Sequence, residues 1–114
     1  MTWIKAKSEG ERRASEMLAR VRAAEASSGQ HVAMVCLTDY EDEAAYVFLK
    51  GLNEWPYGFF KMVNRAAKRA LRRNGLRVET RTIRLNDYWE WLTAIGQRDD
   101  SNNRARFILE GFRK

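Results

Sequence analysis

Apolar residues recur at steps of three and four in two early segments, which is the spacing of one face of an α-helix. The first segment covers residues 9–27, and Ser8 and Glu11 have the spacing of a capping box at its start. The second covers residues 58–74 and ends at an Asn-Gly pair, a frequent stop signal. We therefore predict a helix over each segment.

Two short runs have the composition of β-strands. Residues 32–38 begin with an unbroken apolar run, which is typical of a buried strand. Residues 76–85 alternate between apolar and polar positions, but the parity of the apolar positions changes between Val78 and Ile83. That change indicates a bulge or an edge strand.

The segment after the first strand allows two interpretations. Four acids within positions 39–43 crowd what would be a first helical turn, where the helix dipole favours negative charge. This arrangement favours a helix over 39–50 that ends at Gly51. The alternative is a hairpin in which 45–50 forms a third strand, because its aromatic and β-branched residues suit a strand.

Two further amphipathic segments follow, at residues 87–95 and 102–112. Each carries one apolar stripe at helical spacing, with Asp87 and Ser101 as caps. Together the elements predict a single globular α+β domain over residues 1–114. In that domain, two or three strands are packed by four or five helices.

Composition limits the classes to which the protein can belong. The 114 residues are 45% hydrophobic and 32% charged, as in a folded domain rather than a disordered chain. No apolar run approaches the roughly 20 residues that a membrane span needs. The first residues also lack the apolar region of a secretory signal. We therefore expect a cytoplasmic protein that does not insert into a membrane.

The sequence has one cysteine and one histidine, Cys36 and His31. One of each excludes an internal disulfide and the usual Cys/His zinc clusters. Neither residue stands in a recognised nucleophile motif, and no glycine-rich phosphate-binding loop is present. We therefore expect no metal, no cofactor and no catalytic residue, and we predict a non-enzymatic protein.

The distribution of charge is the most informative feature of the sequence. Residues 59–84 contain nine Lys and Arg and one acid, a net charge of +8, whereas the rest of the chain carries −2. On the predicted helix, over about 59–73, these cations lie opposite the apolar face, and further arginines continue along the next strand. The candidate phosphate contacts are Lys61, Arg65, Lys68, Arg69, Arg72, Arg73, Arg77 and Arg81.

A positive field concentrated on one element predicts an anionic partner. We expect a small nucleic-acid-binding or regulatory protein that contacts the phosphates of DNA or RNA through this basic helix. The competing interpretation is a solvated surface face, or a face that pairs with the acidic cluster at 39–43.

Aromatic residues directly precede the basic helix. Trp55 and Tyr57 are candidates for stacking on bases, as aromatic side chains of single-strand binders do. Core packing is the favoured interpretation, because aromatic residues at a turn usually cover the core.

The alternative function is a protein-interaction module, such as an inhibitor or accessory subunit. It would bind an acidic protein surface through the basic helix, or form a homodimer through the Trp- and Tyr-rich C-terminal half. In that half, Trp91 lies on the apolar stripe of its helix and Trp89 beside it. Trp89 is therefore the better candidate for exposure.

Overall fold

Five helices and one two-stranded parallel sheet make up the computed structural model, which describes residues 2–51 and 54–110. The α+β class that the hydrophobic pattern predicts is confirmed. In chain order the elements are α1 (Trp3–Ser28), β1 (Met34–Tyr40), α2 (Glu43–Lys50), α3 (Tyr57–Arg73), β2 (Arg77–Ile83), α4 (Leu85–Ile95) and α5 (Ser101–Glu110).

The structure divides into two compact units. Unit 1 consists of Met1–Leu37 and Gly58–Glu79, and unit 2 consists of Thr38–Tyr57 and Thr80–Lys114. Unit 1 therefore contains α1 and nearly all of α3, whereas unit 2 contains α2, α4 and α5. Each strand begins in unit 1 and ends in unit 2.

Small and aliphatic side chains form the core of unit 1. Ala14 of α1 and Leu71 of α3 pack in one cluster with Leu37 of β1 and Val78 of β2. Partly buried residues also pack against this cluster, namely Met17 and Leu18 of α1, Val35 of β1 and Leu76 just before β2. The two helices are thereby fixed to the strands, and α3 is held with one face inward.

Helix α1 begins at Trp3 rather than at residue 9, so the capping box predicted at Ser8 and Glu11 is wrong. Thr2 caps the helix, because its hydroxyl accepts the N–H of Lys5 at 3.3 Å. The early turns are helical because they too have a core face, made of small residues at steps of four. These buried residues are Ala6, Gly10 and Ala14.

The segment after β1 forms helix α2, so the strand considered over 45–50 is wrong. β1 runs on to Tyr40, and the helix starts at Glu43 rather than at residue 39. Asp42 caps it by accepting the N–H of Ala45 at 2.8 Å.

Strand boundaries also differ from the prediction. The first strand covers Met34–Tyr40 instead of 32–38, and the second ends at Ile83 instead of at residue 85. Leu85 begins α4, where its N–H donates to Oε1 of Glu41 at 3.0 Å. Val78 and Ile83 are both buried although five residues apart, so β2 buries side chains on both faces.

Helix α5 is capped by Asp100 rather than by Ser101. The Asp100 carboxylate accepts the N–H of Asn103 at 2.7 Å. Phe112, which belongs to the predicted helix 102–112, lies outside the described residues.

Aromatic residues form the core of unit 2. The Phe107 ring lies 5.3 Å from Tyr88 and 5.5 Å from Trp91 between ring centroids. Trp91 is buried and Trp89 is exposed, as predicted. Over residues 2–51 and 54–110, no helix is both long and apolar enough to cross a membrane.

Candidate nucleic-acid interface

Helix α3 separates apolar from cationic side chains, which confirms the predicted facing. The buried residues that the pattern predicts are Phe59, Val63, Ala67 and Ala70. On the opposite side Lys61, Arg65 and Arg72 are exposed, whereas Lys68 is half-buried rather than fully exposed. The apolar face holds the helix in the core and leaves the cations at the surface.

Four of these cations form a row, which we call the basic row: Lys61, Arg65, Lys68 and Arg72. Steps of four, three and four keep them on one side of the helix, and the row extends over about 16 Å at 1.5 Å per residue. Among the described residues, Arg65, Lys68 and Arg72 form no ion pair. In the part of the chain that the structure describes, no carboxylate therefore lies at ion-pair distance from these three side chains.

The two cations on the shoulder of α3 are oriented by α1. The guanidinium carbon of Arg69 lies 5.6 Å from the centroid of the Trp3 ring, within the range of a cation–π contact. Arg73 Nη2 lies 3.2 Å from Oε2 of Glu11. Both partners of this ion pair are about half exposed, so it contributes little, about 0–1 kcal/mol. A phosphate can therefore compete with Glu11 for Arg73.

The two strand arginines occupy different environments. Arg77 is exposed at the start of β2 and belongs to unit 1 together with the basic row. Arg81 belongs to unit 2 and is half-buried, and its guanidinium donates to the carbonyl of Ile108 near the end of α5. This contact satisfies a helix-end carbonyl, a structural role that the sequence alone does not reveal.

The aromatic candidates for stacking lie in unit 2. The Tyr57 hydroxyl donates to the carbonyl of Tyr40 at 2.9 Å, and its ring centroid lies 5.2 Å from that of Tyr46. Trp55 is half-buried, and its carbonyl accepts the Tyr46 hydroxyl at 2.6 Å. These contacts fit core packing, which is the interpretation that the sequence favours.

Two clefts between α1 and α3 contain side chains of α1 that are absent from the predicted site. One, the Trp3 cleft, has a volume of about 180 Å³ and is lined by Trp3, Lys7, Glu11, Ala66, Arg69 and Arg73. The other has a volume of about 220 Å³ and is lined by Arg13, Glu16, Met17, Arg20, Leu37, Asn64 and Ala67. The spacing of Trp3, Lys7 and Glu11 at steps of four is the signal that places them together on α1.

The two units differ in charge. Unit 1 has thirteen Lys and Arg and five Asp and Glu, a net charge of +8. Unit 2 has eight Lys and Arg and ten Asp and Glu, a net charge of −2. The basic row thus lies within a unit whose overall field also attracts anions.

His31 and Cys36 are the remaining candidates for chemistry. His31 is exposed, with Nδ1 at 2.8 Å from Oε2 of Glu25, and the Cys36 thiol is half-buried in β1. Over the described ranges, no three His, Cys, Asp or Glu side chains group as a metal site requires. No family model matches the sequence, and no curated protein matches it either.

Proposed function

We propose that this protein binds nucleic acid through the basic row of α3, as a small non-enzymatic binding or regulatory protein. The observation that carries the proposal is the row itself. Arg65, Lys68 and Arg72 stand on the outward side of α3 without ion pairs among the described residues, in a unit of net charge +8. We also propose that the protein is cytoplasmic, because its single free cysteine, Cys36, is compatible with a reducing compartment.

Phosphate neutralisation supplies the binding free energy in this proposal. Each Lys or Arg that contacts a phosphate releases a condensed counterion, so binding weakens as salt concentration rises. Arginine can also grip a phosphate with two parallel hydrogen bonds. Contacts to the backbone carry no sequence information, so the protein binds with little sequence preference.

Salt dependence tests the proposal. If the six cations of α3 neutralise about six phosphates, the slope of log K against log salt is near −5 for duplex DNA. The affinity then falls roughly a thousandfold between about 50 and 200 mM salt. Fluorescence anisotropy of labelled DNA and RNA at several salt concentrations measures both quantities. The proposal would be contradicted if the protein failed to bind duplex DNA, single-stranded DNA and RNA at about 50 mM salt.

A matched pair of double variants locates the site. Arg65→Ala with Arg72→Ala removes two exposed arginines from the basic row, and Arg84→Ala with Arg98→Ala removes two exposed arginines from unit 2. Both variants have the same net charge. The first should flatten the salt slope by about two, whereas the second should leave it nearly unchanged. Equal effects would indicate that only total charge matters.

A protein-interaction function is the second candidate, and one observation favours it. Phe48 and Trp89 are 64% and 48% exposed, and their ring centroids lie 5.9 Å apart. They line a shallow groove of about 690 Å³ in unit 2, and exposed apolar patches often mark interaction sites. For a homodimer through this patch, the solution mass should double at high concentration and return to the monomer value in Phe48→Ser.

A further inference from the structure

Trp3 is an exposed aromatic residue beside the cations of α3. It is the first residue of α1 and is 36% exposed, while the next residue, Ile4, is 80% exposed. Arg69 stands over the Trp3 ring, with its guanidinium carbon 5.6 Å from the ring centroid. More than a third of Trp3 stays accessible in spite of this contact, within the unit that carries a net charge of +8.

The Trp3 cleft has the size to hold one base and the charge to attract the phosphates beside it. Its volume is about 180 Å³, and a cavity of about 150 Å³ is large enough to hold a benzene molecule. Its charged lining residues are Lys7, Arg69, Arg73 and Glu11. Glu11 pairs with Arg73 at 3.2 Å, which leaves the cleft with a net positive charge beside an aromatic ring.

An aromatic ring in a cationic cleft distinguishes single strands from duplexes. The faces of duplex bases are covered by their neighbours, so duplexes expose base edges to a protein. In a single strand a base can leave the stack and place its face on an aromatic side chain, while cations follow the phosphates. The cation–π contact of Arg69 with the Trp3 ring is already present without nucleic acid, and it keeps a cation beside the aromatic face.

We infer that the protein binds single-stranded nucleic acid in preference to duplex, with one base stacked on Trp3 and the flanking phosphates on Lys7, Arg69 and the basic row. This inference rests on the proposed function, because the basic row supplies the electrostatic attraction. Trp3 adds a contact that a duplex cannot make. Stacking is tolerant of base identity, so the preference is for strandedness rather than for sequence.

Affinities of three variants for oligonucleotides of equal charge test the role of Trp3. Labelled single-stranded DNA, single-stranded RNA, a DNA duplex and an abasic single strand are titrated at one salt concentration. Trp3→Ala should weaken binding to both single strands by roughly 5-fold to 150-fold, the contribution of one stacked base. It should leave binding to the duplex and to the abasic strand within about twofold, because neither offers a base face.

Two control variants separate stacking from structure. Trp3→Phe keeps an aromatic face and should retain most of the preference for single strands. Ile4→Ala removes the apolar residue next to Trp3, which is 80% exposed, and should change no affinity. Quenching of tryptophan emission by the single strand gives a second readout that does not depend on Trp3→Ala folding. The quenching should be largest in the wild type and mostly lost in Trp3→Phe.

The outcomes distinguish this inference from the proposed function. The role of Trp3 is overturned if Trp3→Ala binds single strands as the wild type does and circular dichroism shows that the variant is folded. The Arg65 and Arg72 double variant then still decides whether the basic row binds phosphates. An equal loss of single-strand and duplex binding in Trp3→Ala also overturns stacking, because it indicates a general effect on Arg69 or α1. Absence of binding by the wild type to every oligonucleotide overturns both.

Discussion

Gly10 of α1 lies directly against Ala66 of α3. A Cβ atom at Gly10 would lie 2.5 Å from the Ala66 Cβ and 2.7 Å from the carbonyl oxygen of Val63. These distances are shorter than a van der Waals contact, so α1 and α3 approach each other as closely as a glycine allows. This approach sets the position of α3 in unit 1, and with it the position of the basic row relative to α1.

Gly10→Ala should destabilise the protein, by about 1–3 kcal/mol, because the new methyl group displaces the backbone of α3. This steric cost exceeds the gain of up to about 1 kcal/mol that alanine brings to a helix interior. The matched control is Gly58→Ala, because Gly58 lies in α3 and a methyl group there would meet no atom within 4 Å apart from the adjacent backbone of its own helix. Gly58→Ala should leave stability unchanged or raise it by less than about 1 kcal/mol. Urea denaturation measures both, and equal effects would contradict the close approach.

The facing of α3 gives a second prediction. Val63 is fully buried, so Val63→Asp should destabilise by several kcal/mol, since it places an unpaired charge in the core of unit 1. Arg65 is exposed two residues later on the same helix, and Arg65→Ala should change stability by no more than about 0.5 kcal/mol. Denaturant melts compare the two, and similar destabilisation in both would contradict the assigned faces.

The facing of α3 could be predicted from sequence because this helix has large side chains of opposite character on its two sides. Phe59 and Val63 mark the core face, and Arg65 and Arg72 mark the surface. Helix α1 was predicted too short for the opposite reason. Its first core positions are Ala6 and Gly10. Both residues are only weakly hydrophobic, and glycine also has a low helix propensity. The pattern of apolar residues therefore does not reveal this buried face, which packs through its small size.

The site was predicted in part for a related reason. The row on α3 follows from periodicity within one segment, whereas the contacts of Trp3 with Arg69 and of Arg81 with Ile108 join residues far apart in sequence. Such contacts depend on how elements pack. Composition and spacing within a single segment contain no information about them, so Trp3 was missed and Arg81 was grouped with the surface cations.

The Asp99 carboxylate gives a third prediction, because it joins two elements of unit 2. Its Oδ1 accepts the Tyr88 hydroxyl at 2.6 Å and lies 3.1 Å from Nε of Arg104. The Asp99 and Arg104 side chains are 22% and 14% exposed, so water compensates poorly for a lost partner. Asp99→Asn should therefore destabilise by about 1–3 kcal/mol.

Glu110→Gln is the control for this ion pair. Glu110 pairs with Arg106 at 3.3 Å, but both side chains are about half exposed. An exposed pair contributes about 0–1 kcal/mol, so Glu110→Gln should change the free energy of unfolding by less than about 1 kcal/mol. Thermal melts at neutral pH measure the stability of both variants. An equal loss of stability in the two would show that burial does not determine how much these ion pairs contribute.

Tyr88 gives a prediction for alkaline pH. Burial, followed by its hydrogen bond to Asp99 and the negative charge of that carboxylate, raises the pKa of the Tyr88 hydroxyl well above the ordinary value of 10.0. The folded protein therefore holds this proton more tightly than the unfolded chain does. The resulting contribution to stability is fully present below pH 10.0, and it is lost as the pH rises from there toward the folded-state pKa.

Tyr88→Phe should reduce this pH dependence. At neutral pH the variant should be less stable, by about 1–2 kcal/mol, because Asp99 loses a hydrogen-bond donor. Above pH 10.0 its stability should fall less steeply than that of the wild type, by up to about 1.4 kcal/mol per pH unit, because one proton no longer distinguishes the two states. Urea denaturation of both proteins from neutral to strongly alkaline pH measures the two stability curves. Lysines and the other tyrosines titrate in both proteins, so the difference between the curves reports Tyr88 alone. Parallel curves would show that Tyr88 ionises in the folded protein as readily as in the unfolded chain.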